Sequence, residues 1–292
     1  VSGPRNCAGS ESGNFARRRQ HSLHYATATA GIISAAVCAT VLALILGSHN
    51  TMNFVIWLRD TARFFGQHWI RLFSITLLIS LITLVGAVAV LGLASGGANP
   101  LNLARLVLWV GGVWMSTAIL YYIHTASAGS SVSPLSAIQK SADHFTAVFG
   151  YQLLLIATVI ILGLIVWLPI VLNVPNLPEL PFNLSVCAIL FYFGSRLVAL
   201  GTIDLVVNKT PLRSVIFSAW RYSRGRVWTL LIAHLVFFAA ITLVLITLPL
   251  VSRQLLLQAT LLVLLIQPIV VLFYIFVFQI HAHQRSTALL SE

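Results

Sequence analysis

Charge is what this sequence has least of. Only 8% of its 292 residues are charged, against roughly a quarter in an ordinary soluble domain, and that shortage excludes a water-soluble globular fold. Acidic residues are scarcest. After residue 51 they are Asp60, Asp143, Glu179, Asp204 and Glu292, which leaves little material for paired-carboxylate catalysis. Cysteine is nearly absent too. Cys7, Cys38 and Cys187 form no C-x-x-C and no even-numbered framework, so neither a structural disulfide nor a thiolate metal site is expected. No P-loop, G-x-S-x-G, H-E-x-x-H or G-x-G-x-x-G occurs. The expectation is a non-enzymatic chain with no cofactor and no metal, in which His281-x-His283 is an interfacial pair rather than a ligand set.

What is present is apolar length. Hydrophobic residues make up 59% of the chain and the mean hydropathy is +0.95. They fall into runs of about 20 residues, the length that crosses a bilayer as a helix. Six such runs follow residue 52: Leu72–Leu93, Leu106–Ile123, Tyr151–Leu172, Leu184–Val207, Trp228–Leu248 and Leu256–Ile280. They are continuously apolar rather than alternating, which excludes barrel strands and predicts an all-α polytopic membrane bundle. Trp69, Trp109 and Trp228 mark membrane ends, where amphipathic rings settle.

The net charge of +11 would point to nucleic acid in a soluble protein. In this setting it points to anionic lipid headgroups and no nucleic-acid partner. With the segment before the first run placed inside, one side carries Arg59, Arg63, Arg71, Lys140, Lys209, Arg213, Arg221, Arg224, Arg226 and Arg285, and the other Arg105 and Arg253. The positive-inside bias then puts both termini of the six-helix core in the cytoplasm. A seventh run, Ala26–Leu46, follows Arg17, Arg18 and Arg19 and would invert that bias. Residues 1–51 are therefore read as an N-terminal extension, disordered apart from one apolar helix, with the native chain beginning near Met52.

The core also repeats. Pro134-Leu135 followed by Ser141-Ala142 recurs as Pro211-Leu212 followed by Ser218-Ala219, a shift of 77 residues. A weaker copy, Phe64–Trp69 before Leu72, matches Tyr222–Trp228 before Leu230. Residues 52–292 thus parse into repeats near 52–132, 133–209 and 210–292. Each is a short amphipathic helix followed by a transmembrane hairpin, and two spans per unit make the repeats parallel. In the third, Leu212, Ile216, Ala219, Ser223 and Val227 share one helical face while Arg213, Arg221 and Arg224 lie off it, which describes a basic interfacial helix.

The stretch from Val55 to Phe65, with its Arg59-Asp60-Thr61 and Phe64-Phe65 groups, resembles the opening of the YciC-like bacterial inner-membrane proteins. Residues 134–141 and 204–228 are similar to the same family, and the resemblance covers most of 52–292. It implies a multi-pass protein of the bacterial inner (plasma) membrane and brings no reaction and no catalytic residues.

Two sets of site residues follow. Arg196, near the middle of the fourth run, carries a charge costing at least about 2.5 kcal/mol there, and with Asp204 and His234 it forms a candidate buried polar site. Its alternative is a structural arginine bonded to a neighbouring helix. Arg59, Arg63, Arg213, Arg221, Arg224 and Arg226 are expected to face headgroups. Function divides accordingly. One reading is a non-catalytic protein organising anionic lipids or a membrane-protein partner. The other is a transporter or channel built around Arg196, with Pro169 and Gly201 marking a cavity.

Overall fold

The computed structural model describes residues 48–93, 99–171, 179–251 and 255–289, which form seven α-helices and no strand. Most of the expected extension 1–51, with its apolar run, lies outside the described residues. The chain divides into two units, residues 1–56 and 57–292. In the first, residues 48–56 are described and are helical.

The helices are α1 (Ser48–Leu93), α2 (Pro100–Ser127), α3 (Pro134–Val171), α4 (Glu179–Val207), α5 (Leu212–Tyr222), α6 (Val227–Val251) and α7 (Leu255–Leu289). All except α5 contain a segment long and apolar enough to cross a bilayer. The chain is a multi-pass membrane protein.

The expected short amphipathic helices are not all separate. In the first two cases they run straight into the apolar segment, giving α1 its 46 residues and α3 its 38. The third is broken off because Gly225, at φ 76°, takes a left-handed conformation in the turn after α5. Its sequence counterpart Gly66 is helical within α1. Gly129, at φ 78°, likewise closes α2, where the Ser130 amide returns to the Thr125 carbonyl at 3.1 Å.

Spans alternate between two positions. α2, α4 and α7 each contact the other two, and 56%, 56% and 39% of their apolar windows are buried, against 22%, 11% and 22% for α1, α3 and α6. The first three form the centre. The others turn long apolar faces outward, among them Leu81, Leu84 and Val88 on α1 and Ile160, Ile161 and Leu164 on α3. This outward surface is what lipid requires. Small residues let helices approach. At Gly111 of α2 an added Cβ would collide with the Thr83 side chain of α1, and at Gly201 of α4 with the Tyr151 ring of α3. Gly201, expected to mark a cavity, is instead filled by Tyr151, whose hydroxyl donates to the Leu197 carbonyl at 2.7 Å. The side chain of Pro169 lies outside the described set.

Candidate functional site

A buried charge must find partners. Arg196 is 3% exposed, and all three guanidinium nitrogens are used: Nε donates to Ser223 Oγ at 2.6 Å, Nη1 to the Tyr192 hydroxyl at 2.8 Å and Nη2 to the Trp220 carbonyl at 3.2 Å. The guanidinium also lies 3.3 Å from the centroid of the Trp220 ring. Trp220 and Ser223 are the closing turn of α5, where carbonyls lack helical partners and the dipole favours a cation. Arg196 is therefore a C-terminal cap supplied by another helix. Arg196 lies near the middle of the apolar stretch Ala188–Val207 of α4, and its charge is met there by protein.

Asp204 is 1% exposed. It accepts from Asn208 Nδ2 at 2.5 Å and from the Ser218 hydroxyl on α5. Arg196 and Asp204, about 12 Å apart along the axis of α4, thus both hold α5. They do not pair with each other. Among the described residues the ion pair is Arg59–Asp60, at 3.9 Å between exposed side chains. His234 is placed separately. It is 7% exposed, its Nδ1 lies 2.8 Å from the Leu230 carbonyl, and its ring meets Phe191 and Phe273 edge-on.

The held helix has two faces, rotated from those expected. Val215, Ala219 and Ser223 are fully buried, one stripe at intervals of four, because this is the side that meets α4. Leu212 is exposed instead. On the outer side Arg213, Phe217 and Arg221 form a second stripe, with Phe217 75% exposed and both arginines exposed. Arg224 is exposed in the following turn. Arg59 and Arg63 are exposed on α1, and Trp69 and Trp228 present their rings outward.

Arg226 departs from this group. It is half-buried, donates from Nη1 to the Ile280 carbonyl of α7 at 3.1 Å and lies 4.8 Å from the centroid of Trp57. Burial pulls its guanidinium below the ordinary arginine value. It clamps inward onto α7. His281 is also buried, packed edge-on against Tyr222 at 4.8 Å.

One cluster escaped the sequence reading. A polar hollow of about 330 Å³ is lined by His124, Lys140, Asp143, His144 and Lys209. Lys140 and His144 stand one turn apart on α3, a signal that was legible. Lys209 joins them only because it turns the chain between α4 and α5 at φ 51°, which no local pattern discloses.

No family model, curated protein or solved structure matches the chain.

Proposed function

We propose that this is a non-catalytic membrane protein of the YciC-like kind, seated in the bacterial inner membrane with the termini of its six-helix core in the cytoplasm, and that it organises anionic lipids. The observation that carries the reading is the outward stripe Arg213–Phe217–Arg221 on a helix whose opposite stripe is fully buried. An exposed aromatic ring between two exposed arginines suits the headgroup boundary, where the ring enters the acyl layer and each arginine gains about 1 kcal/mol from anionic lipid. Arg196 and Asp204 serve this surface by fixing α5 in place. The polar hollow at Lys140 and Lys209 adds cationic surface that a phosphate could share.

The repeat reading has support of its own. Pro134 and Pro211 each stand at the start of a helix. The hydroxyls of Ser141 and Ser218 each lie within hydrogen-bond distance of the carbonyl three residues back, at 2.7 Å and 2.9 Å. Each also meets a side chain of the preceding apolar helix, Trp114 of α2 and Asp204 of α4. A conducting path through Arg196 is less well supported, because its nitrogens are satisfied and Gly201 is packed.

The test is to extract wild-type protein and the R213A/R221A/R224A variant with polymer nanodiscs and compare the co-purified lipids. Enrichment of phosphatidylglycerol over the bulk membrane, lost in the variant, is expected. Equal composition in both contradicts the reading.

A further inference from the structure

A cavity of about 290 Å³ lies between α4, α6 and α7, and it plays no part in holding α5. Its wall is almost wholly apolar. Phe191, Val198, Phe237, Ile241 and Phe273 supply most of it, and its mouth reaches Phe238, which is 57% exposed on the outer face of α6. It therefore opens on the apolar surface that faces lipid. Its size is at the lower end for small-molecule sites.

Two polar side chains line it, Ser195 and His234. The Ser195 hydroxyl already donates to the Tyr192 carbonyl at 3.0 Å, leaving its lone pairs. His234 Nδ1 lies 2.8 Å from the Leu230 carbonyl, which can only accept, so Nδ1 carries a proton, and in the neutral ring that tautomer leaves Nε2 as an acceptor. No hydrogen bond to Nε2 is formed among the described residues, and since this nitrogen is not one of the fully enclosed unpartnered atoms while His234 lines the cavity, it is reachable by a molecule in that space. An acceptor left unpaired in apolar surroundings is costly.

We infer that this cavity binds an apolar molecule bearing a single hydroxyl, which enters from the bilayer and donates its proton to His234 Nε2. A wall that offers only acceptors selects a donor. Carboxylates, phosphates and ketones bring acceptors and are disfavoured, whereas a long-chain or isoprenoid alcohol fits, as does the free hydroxyl of a neutral glycerolipid.

The experiment measures binding of tritiated farnesol and of farnesyl methyl ether to the full chain in nanodiscs. The alcohol should bind about three- to tenfold more tightly than the ether, the worth of one hydrogen bond. H234F should erase this preference while keeping ether binding. G194L should abolish both, since an added Cβ at Gly194, in the cavity wall, meets nothing within 4 Å and the side chain can grow into the space without displacing backbone. Thermal unfolding of each variant checks its fold independently. Dioleoylglycerol either displaces farnesol, assigning the site to a glycerolipid, or does not, assigning it to a single-chain alcohol; both uphold the site. Equal affinity of alcohol and ether in the wild type, preference retained in H234F, undiminished binding in G194L, or no saturable binding would overturn the inference.

Discussion

Arg196 of α4 and Ser223 at the end of α5 are joined by a hydrogen bond of 2.6 Å, and Ser223 Oγ in turn donates to the Trp220 carbonyl at 2.8 Å. A buried cation thus closes a helix to which it does not belong. R196L should lower stability by about 2 kcal/mol, because the Ser223 hydroxyl and Trp220 carbonyl lose charge-assisted partners. R196K keeps the charge but cannot reach three acceptors at once and should fall between. Thermal unfolding in detergent measures both, and equal melting of R196L and wild type would show that α5 is held by packing alone.

The Asp204–Ser218 contact is the second fastening. A double-mutant cycle of D204L and S218A should give a coupling energy of about 1–2 kcal/mol. Strict additivity of the two single variants would mean that the contact contributes nothing to holding α5.

Two glycines of α4 make opposite predictions. An added methyl at Gly201 meets the Tyr151 ring, so G201A should destabilise by about 1–3 kcal/mol through overpacking. At Gly194 the same change meets open space, and G194A should be neutral or stabilising by about 0.5–1 kcal/mol through helix propensity. Chemical unfolding of the pair decides the matter, and identical effects would contradict the packing described for α3 and α4.

Orientation is open to labelling. In a chain with Cys7, Cys38 and Cys187 replaced by serine, a cysteine at the exposed Ser131, in the α2–α3 turn, should react with an impermeant maleimide only from the cytoplasmic side. One at the exposed Asn102, in the first turn of α2, should react only from the other. The reverse pattern would invert the proposed topology.

Much of the architecture was legible because lipid imposes a length and an apolar composition on every span, and six runs could be marked from these alone. Continuity was harder. Nothing local to Gly66 or Gly225 says that one stays helical while the other breaks the chain. Arg196 could be singled out because a charge in an apolar run demands a partner, but the partner's identity depended on where α5 packs. The rotation of the α5 face arose in the same way. Leu212 and Ile216 are the better apolar residues by composition, yet the buried stripe passes through Val215 and Ala219, since these small side chains are the ones that let α5 lie close to α4. Arg226 looked like its basic neighbours, and only the position of Trp57 and Ile280 turns it inward.

The central claim is that the outer stripe of α5 rests on anionic headgroups, and the most direct test places a bimane label at residue 217. A cysteine-free chain carrying F217C would be reconstituted into nanodiscs containing spin-labelled phosphatidylglycerol or phosphatidylcholine at equal density. Quenching should be markedly stronger with phosphatidylglycerol at low salt and should converge near 1 M, where the screening length falls to about 3 Å. Equal quenching by the two lipids at low salt would contradict the account.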